Sequence, residues 1–290
     1  MNYREIYESG VKRLEKAGIK EAELDARLLL EHVCHTDRNT LLAYPDRPVT
    51  EEENSSYVNC LAEREKRVPL QHIIGYQEFM GLKFYVNQHV LIPRQDTENL
   101  VEEVMPHVHD GMRILDLCTG SGCILISLLQ YSNDCIGVGT DISKEALEVA
   151  AKNGEAILKE KEGKVYEQLQ FIESDLFEKL PPQKFDLIVS NPPYIKTDVI
   201  DALEPEVASF EPLLALDGGE DGLDFYRRIV KEAGNFLIRG GMLFLEIGYD
   251  QGEAVADLLK EAGFVDIEIR KDYGGLDRVV FGTFLEECHV

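Results

Sequence analysis

The chain has 290 residues, of which 30 are Lys or Arg and 54 are Asp or Glu, so its formal net charge is −24. At about 150 residues per domain this length allows two domains, and a composition with 44% hydrophobic and 29% charged residues is typical of a globular protein. The excess of acidic residues argues against a protein that grips a nucleic-acid backbone, because neutralising phosphates requires a basic surface.

The sequence also argues against membrane insertion and secretion. No apolar run reaches the roughly 18 residues of a transmembrane helix, and the first residues after Met1 include acids where a signal peptide would be apolar. None of the cysteines forms a Cys-x-x-Cys pair, so we expect reduced thiols, a cytoplasmic protein and no metal site. The cysteines are Cys34, Cys60, Cys118, Cys123, Cys135 and Cys288.

Residues 1–72 predict a small bundle of helices. Apolar residues recur at helical spacing in two segments, which begin near Tyr3 and Leu24. A third helix is expected after Thr50, because Thr50 and Glu53 have the spacing of a capping box. From these residues alone, the bundle either only packs on its neighbour or docks a partner. Residues 73–92 change in character and predict a short hairpin around Gly81.

From Gly111 onward, strand and helix patterns alternate, which predicts a parallel sheet with helices on both faces. Helices are predicted at Lys144–Leu158 and Phe225–Ile238. Only Arg270–Asp277 separates the last two strands, which is too short for a crossover helix, so that pair is expected to be antiparallel. The candidate strands are Arg113–Leu117, Cys135–Thr140, Leu169–Ile172, Phe185–Ser190, Met242–Ile247, Val265–Ile269 and Arg278–Phe284.

A glycine-containing turn, Cys-Thr-Gly-Ser-Gly at residues 118–122, follows the first of these strands. Glycines in this position let backbone amides approach a ligand at the carboxyl edge of a parallel sheet. Asp141 ends the next strand, 19 residues after Gly122, close to the roughly 20 expected for an acid that binds ribose hydroxyls. The pattern therefore predicts a cofactor that contains a nucleoside.

Two residues bear on which cofactor it is. Leu125 stands where the nicotinamide fingerprint has its third glycine, and Asp116 puts negative charge beside the turn, which disfavours a pyrophosphate. S-adenosylmethionine has no phosphate and carries positive sulfonium and ammonium groups, so an acidic site suits it. We therefore expect S-adenosyl-L-methionine as the cofactor, with S-adenosyl-L-homocysteine as the product.

The strand Phe185–Ser190 runs directly into Asn191, Pro192, Pro193 and Tyr194. The two prolines fix the backbone and lack N–H groups, so the turn is expected to offer carbonyl acceptors beside the side-chain oxygen of Asn191. Such acceptors can hold both hydrogens of a substrate NH2 group while the Tyr194 ring stacks on a planar group. This favours methylation of a conjugated nitrogen, in an amide or an aromatic amine, by positioning its lone pair.

With these motifs the sequence resembles the release-factor glutamine methyltransferases, the HemK/PrmC family, over nearly its whole length. The Asn-Pro-Pro-Tyr motif alone is not specific, because amino-methylating DNA enzymes carry it too, but its combination with the other stretches is. The stretches that carry the resemblance are Pro69–Gly75, Leu91–Arg94, Ile114–Gly122, Asn191–Tyr194, Glu211-Pro212, Ala215-Leu216, Gly218-Gly219, Asp221–Leu223 and Leu245–Gly248.

The resemblance implies a class I S-adenosylmethionine-dependent methyltransferase fold, an α/β fold whose Rossmann-like seven-stranded sheet has its last strand antiparallel. This domain would span residues 93–290, after a substrate-docking helical domain at 1–72 and a β-hairpin linker at 73–92. The implied reaction is methylation of the side-chain amide nitrogen of the glutamine in the Gly-Gly-Gln motif of peptide chain release factors. The implied protein is a cytoplasmic monomer that acts on class I release factors and binds neither membrane nor nucleic acid.

The resemblance also implies roles for individual residues. Asn191, Pro192 and Tyr194 would be catalytic, and together with Pro193 they would hold the substrate glutamine. Leu176 would lie beside the adenine and Asn191 near the methionyl part of the cofactor. The full set of cofactor-binding residues would be Cys118, Thr119, Gly120, Ser121, Gly122, Asp141, Leu176 and Asn191.

The chain departs from the family pattern at two places. Cys118 stands where a glycine is common, so the backbone there must accept a side chain that could touch the ligand. Gln95-Asp96 stands where Pro-Glu is usual. We also expect the segment Thr197–Asp224, which shows little helical or strand pattern, to shape the glutamine entrance. Glu246 is interpreted as a core acid rather than a ligand.

Two other functions remain open from the sequence. An adenine-amino DNA or RNA methyltransferase would use the same Asn-Pro-Pro-Tyr grip, although the net charge of −24 argues against it. A continuous positive groove leading to Asn191 would favour that alternative. A cofactor-binding scaffold without activity is the other alternative, but it would not need acceptors for both hydrogens of a substrate NH2 group.

Overall fold

The computed structural model describes residues 1–158 and 168–285; Cys288 lies outside the described residues. The chain forms two compact units. Unit 1 comprises Met1–Tyr76 together with Glu204–Phe210, and unit 2 comprises the remaining residues. The domain boundaries expected after residues 72 and 92 stay a prediction. No helix in the described part of the chain is both long and apolar enough to span a bilayer.

Unit 1 is helical, as the apolar spacing indicates. Its helices bury a common core that includes Leu14, Leu29 and Leu61, and the buried Tyr57 hydroxyl donates to the carbonyl oxygen of Ala26 at 3.0 Å. The helices are α1 (Tyr3–Lys16), α2 (Ala22–Val33), α3 (Arg38–Ala43), α4 (Glu51–Glu65), α5 (Leu70–Ile74) and, from the second segment, α9 (Pro205–Phe210).

The capping box predicted at Thr50 is confirmed. The Glu53 amide donates to Thr50 Oγ1 at 3.1 Å, and the Thr50 amide donates to Glu53 Oε2 at 2.7 Å. Helix α4 therefore begins at Glu51 with two of its otherwise unpaired amide groups satisfied.

Helix α9 lies within Thr197–Asp224, where the sequence predicted little regular structure, and that prediction was wrong. A helix of 6 residues is too short for a hydrophobic period to show, although Pro205 at its start is a typical first helical residue. Within unit 1, ion pairs connect this helix to the end of α4 and the residues that follow it. Glu206 pairs with Arg64 at 2.9 Å and with Arg67 at 3.0 Å.

Unit 2 contains a two-stranded hairpin and a seven-stranded sheet in the order β5-β4-β3-β6-β7-β9-β8. The hairpin strands are β1 (Tyr76–Phe79), whose first residue is the last of the opening segment of unit 1, and β2 (Leu82–Tyr85). The sheet strands are β3 (Arg113–Leu117), β4 (Ile136–Asp141), β5 (Leu169–Glu173), β6 (Phe185–Ser190), β7 (Leu237–Glu246), β8 (Phe264–Lys271) and β9 (Asp277–Phe284). The helices are α6 (Gln95–Val104), α7 (Cys123–Tyr131), α8 (Lys144–Ile157), α10 (Asp224–Ala233) and α11 (Gly252–Glu261).

The topology confirms the predicted sheet. Strands β3 to β7 pair in parallel, whereas β9 runs antiparallel to both β7 and β8. Along β6, Leu187 and Val189 belong to one buried apolar cluster and Ile188 to the other, as expected when successive side chains point to opposite faces. The sheet is therefore covered on both sides, and its carboxyl edge is left for a ligand.

One predicted helix was wrong in its extent. The helix predicted at Phe225–Ile238 ends at Ala233, and strand β7 begins at Leu237. A turn connects them, and the Phe185 amide donates to the carbonyl oxygen of Phe236 at 2.8 Å. The apolar residues at 236–238 continue the helical pattern by chance, but sheet pairing determines their conformation.

Candidate active site

A cavity of about 340 Å3 opens at the carboxyl edge of the sheet in unit 2. Of the residues that the sequence predicted for the site, eight line this cavity: Cys118, Thr119, Gly120, Ser121, Asp141, Leu176, Asn191 and Pro193. Gly122, Pro192 and Tyr194 do not line it. The ends of β3, β4 and β6 thus bring the two predicted motifs to one cavity, as the shared edge of parallel strands requires.

The glycine-containing turn is held by the next strand of the sheet. The Thr119 amide donates to the carbonyl oxygen of Thr140 at 2.9 Å, and the Gly120 amide donates to Asp141 Oδ2 at 2.9 Å. Gly122 has φ +78°, and a Cβ atom there would lie 2.7 Å from Ile126 Cδ1. Gly122 therefore lets the start of α7 pack closely rather than facing the cavity.

Asp141 is the acid that ends β4, and it lines the cavity. Its Oδ2 accepts from Gly120, and its Oδ1 accepts from the Ser143 amide at 2.9 Å. Burial raises the pKa of Asp141, and these backbone donors act in the opposite direction. Each oxygen keeps a further lone pair, so the carboxylate is oriented and can still accept from a hydroxyl group in the cavity.

Asp116 is enclosed below the turn and does not line the cavity. Its Oδ2 accepts from the Thr119 hydroxyl at 2.6 Å, while Oδ1 has no hydrogen-bond partner among the described residues. Burial raises the pKa of Asp116 to about 7. Asp116 therefore shapes the turn through Thr119 and does not contact a ligand directly.

Cys118 adopts the left-handed conformation, with φ +57°, in which residues with a side chain are strained by roughly 1–2 kcal/mol. A glycine at this position would not carry this strain. The Cys118 side chain packs against the core cluster of the sheet and lines the cavity. Burial, together with the nearby Asp141 and Asp116, raises the pKa of the thiol, so the group remains uncharged.

Asn191 immediately follows β6 and lines the cavity. Its side-chain nitrogen Nδ2 donates to the hydroxyl of Thr97 at 3.2 Å. No described residue donates to its Oδ1 or to the carbonyl oxygen of Pro192. Two acceptors of the turn are thus without a protein donor in the described chain.

The carbonyl of Tyr194 behaves differently from the sequence expectation that this turn leaves its carbonyls available. It accepts from Gln251 Nε2 at 3.0 Å, and the same amide nitrogen donates to Gly222 at 3.1 Å. The Tyr194 hydroxyl donates to Glu246 Oε1 at 3.5 Å. Tyr194 is thus held at both ends by the protein.

The segment after α9 contributes to the wall of the cavity through Pro212, Leu214 and Ala215. The preceding residue, Glu211, is buried and accepts from Arg94 Nη2 on both of its oxygens, at 2.7 and 2.6 Å. Burial raises the pKa of Glu211, and the arginine opposes that shift. The predicted role of this segment at a substrate entrance stays a prediction.

Sequence reasoning missed two residues that orient the turn. Neither Thr97 nor Gln251 was among the residues predicted for the site. Neither forms a motif with Asn191–Tyr194, because both reach it from elements distant in the chain. The sequence offers one hint for Thr97, which lies three residues after Arg94, the last residue of a stretch that carries the resemblance.

Comparisons with known proteins agree on one family. The PrmC N-terminal domain matches residues 5–75, and the methyltransferase small domain matches residues 95–205. A release factor glutamine methyltransferase from Geobacter sulfurreducens is 43% identical over 269 residues, which cover 93% of this chain and 92% of that protein. One from Agrobacterium fabrum is 40% identical over 275 residues, with 93% of each chain covered.

Among solved structures, a methyltransferase from Pyrococcus furiosus matches with a TM-score of 0.52 and 16% identity, over 71% of this chain and 90% of that one. At this identity the likeness concerns the fold alone.

Proposed function

This chain belongs to the release factor glutamine methyltransferases, and from that membership we propose that it methylates the side-chain amide nitrogen of the glutamine in the Gly-Gly-Gln motif of peptide chain release factors, with S-adenosyl-L-methionine as the donor. The observation that carries the proposal is the state of Asn191. Its nitrogen is engaged by Thr97, so its oxygen is the atom that remains to accept from an NH2 group.

The cavity suits this cofactor in its charge and shape. Asp141 places a carboxylate without an ion-pair partner among the described residues at the lining, whereas Asp175 is paired with Arg228 at 2.8 Å. Leu176 and Phe225 supply apolar surface for a base. We assign Asp141 to the ribose hydroxyls and Leu176 to the adenine side. Cys118, Thr119, Gly120 and Ser121 would line the methionyl side, with Gly122 supporting the turn from behind. When bound, S-adenosylmethionine supplies a methyl group whose bond to sulfur breaks with both electrons left on sulfur.

The turn Asn191–Tyr194 would act on the acceptor. Asn191 Oδ1 and the Pro192 carbonyl would each accept one hydrogen of the glutamine carboxamide, which directs the nitrogen lone pair toward the methyl donor. Accepting both hydrogens also raises electron density on a nitrogen that is otherwise a weak nucleophile. Asn191 does not ionise near neutral pH, so it is not a general base. The nitrogen loses its proton after the N–C bond has formed, when it is strongly acidic.

Tyr194 and Pro193 complete the grip. Tyr194 is fixed by Gln251 and Glu246, so its ring is held in place rather than left mobile. We further propose that the helical unit 1 docks the release factor and that the enzyme acts in the cytoplasm as a monomer on class I release factors.

Mass spectrometry of a purified release factor after incubation with the enzyme and S-adenosylmethionine tests the proposal. We expect the peptide that contains Gly-Gly-Gln to gain one methyl group, and no gain when its glutamine is replaced by alanine. An oligonucleotide with unmethylated adenines, offered in parallel, tests the adenine-amino alternative. Methylated DNA or RNA with an unchanged release factor would contradict the proposal.

Asn191→Ala separates binding of the acceptor glutamine from binding of the cofactor. We expect transfer to the release factor to be lost, whereas calorimetry with S-adenosylhomocysteine should show nearly unchanged affinity, because the lost group holds the acceptor. Asn133→Ala, at an exposed asparagine on the same unit, is the matched control and should keep full activity. Equal turnover in Asn191→Ala would exclude the role assigned to this residue.

A further inference from the structure

We propose that Thr97 and Glu246 are positioning residues that determine which end of the Asn191 carboxamide faces the substrate. The proposal rests on the proposed function, since it concerns how the acceptor for the glutamine NH2 group is set. It assigns a role to a buried hydroxyl, which also lines the cavity, and to a buried carboxylate, both from elements outside the Asn191–Tyr194 turn.

Both groups lie where the strand ends meet. Thr97, on α6, is 2% exposed, and Glu246, the last residue of β7, is 1% exposed. Leu245 in β7 is paired with Ser190 in the parallel strand β6. The next residues along the two strands, Glu246 and Asn191, are therefore neighbours. The Thr97 hydroxyl accepts from Asn191 Nδ2 at 3.2 Å. As a hydrogen-bonding group beside Glu246, it also lowers the pKa of that carboxyl, against the larger effect of burial.

The direction of these hydrogen bonds follows from the chemistry of the groups. An ionised carboxylate has no hydrogen to donate, so the single hydroxyl hydrogen of Thr97 is directed to Glu246. The oxygen of Thr97 is then an acceptor toward Asn191, and only the NH2 end of the Asn191 carboxamide can satisfy it. The opposite end, Oδ1, must therefore point to the cavity, where the substrate NH2 group requires an acceptor.

The surroundings of Glu246 make this direction sensitive to protonation. From β9, Arg278 favours the charged form, but it pairs with Asp272 at 3.0 Å and with Asp96 at 3.3 Å. Asp96, from α6, favours the neutral form, and Tyr194 donates to Oε1. Glu246 Oε2 has no hydrogen-bond partner among the described residues.

Burial is the largest influence and raises the pKa of Glu246 to about 7. A protonated Glu246 can donate its own hydrogen to Thr97. The Thr97 hydroxyl can then donate to Asn191, which favours the reversed carboxamide with its NH2 group toward the substrate. Two NH2 groups cannot bond to each other as donors, so the reversed state holds glutamine poorly, and activity falls on the acid side.

A pair of Thr97 variants tests the hydroxyl. Thr97→Val keeps the shape and removes the hydroxyl, whereas Thr97→Ser keeps the hydroxyl and removes a methyl group. With saturating cofactor and release factor, we expect kcat to fall about tenfold in Thr97→Val, as for one lost orienting hydrogen bond, and to recover for the most part in Thr97→Ser. Affinity for S-adenosylhomocysteine should stay within about twofold of the wild-type value in both variants. A general packing defect would instead lower this affinity as well.

The pH profile tests the carboxylate. We expect the wild-type kcat to fall toward acid pH with an apparent pKa near 7 and this fall to be absent in Glu246→Gln, which does not titrate. An acid fall that persists in Glu246→Gln, or a Thr97→Val enzyme with the wild-type kcat, would overturn the inference while leaving the proposed function intact. A wild-type enzyme that does not methylate the release factor at any pH would overturn both.

Discussion

Gly218 lies directly against the backbone of Tyr194. A Cβ atom at Gly218 would be 2.7 Å from the Cα of Tyr194 and 2.9 Å from the carbonyl oxygen of Pro193. The contact is reinforced by two backbone hydrogen bonds, from Ile195 to Leu216 at 2.9 Å and from Gly218 to Ile195 at 2.8 Å. The loop after α9 is thus part of what holds the Asn191–Tyr194 turn in place.

Gly218→Ala should therefore displace this turn. Contacts shorter than 3.0 Å to backbone atoms cannot be relieved by rotating a side chain, so we expect a loss of release-factor methylation of at least about tenfold, with affinity for S-adenosylhomocysteine largely retained. Gly274→Ala is the matched control, because its Cβ would meet only the end of the Asp272 side chain, at 3.1 Å. Full activity in Gly218→Ala would show that the turn tolerates movement.

Gln251→Ala should lower stability. The Gln251 side chain donates to Tyr194 and Gly222 and accepts from the Gly248 amide at 2.9 Å. Leaving buried backbone groups unpaired costs about 1–3 kcal/mol, so the free energy of unfolding, measured with denaturant, should fall by that amount. The exposed Gln170→Ala should change it by less than about 0.5 kcal/mol, and a similar small change in Gln251→Ala would contradict the structural role.

Asp141→Asn should weaken cofactor binding. The substitution removes the negative charge that we assign to the ribose hydroxyls, and a hydrogen bond to a charged group contributes about 1.5–3 kcal/mol. Calorimetry with S-adenosylhomocysteine should then show affinity reduced by roughly tenfold or more. Asp110→Asn, at an exposed acid of the same unit, should bind as the wild type does; equal affinity in the two variants would exclude the assignment.

Asp116→Asn should change how stability depends on pH. Burial raises the pKa of Asp116 from 3.8 to about 7, so between these values the folded protein binds a proton that the unfolded chain has released. The wild type therefore loses stability as pH rises through this interval, by at most about 1.4 kcal/mol per pH unit from this residue. Asp116→Asn lacks this contribution, because asparagine does not titrate.

Chemical denaturation of the wild type and Asp116→Asn at several pH values between 4 and 7 measures the difference. Glu246 contributes in the same direction, because its pKa is also raised to about 7, so the variant should be less dependent on pH but not independent of it. Parallel stability curves for the two proteins would show that Asp116 does not titrate in this range.

The elements that the sequence predicted well are those whose signal is local. Strands β3 and β6 begin and end where the apolar runs do, at Arg113–Leu117 and Phe185–Ser190. The antiparallel final pair followed from the length of one connection, and the family from short motifs spread along the chain. Helix α9 and the true end of α10 were missed, because a six-residue helix shows no period and a strand can continue a helical pattern.

The residues by themselves thus determined the sheet, the acidic cofactor turn and the Asn191–Tyr194 motif, because each depends on neighbours in the chain. Only the tertiary structure decided how that motif is oriented. Thr97, Gly218 and Gln251 reach it from α6, from the loop after α9 and from the start of α11. The direction of a hydrogen bond and the clearance beside a backbone depend on atoms that meet in space, and no spacing in the sequence records them.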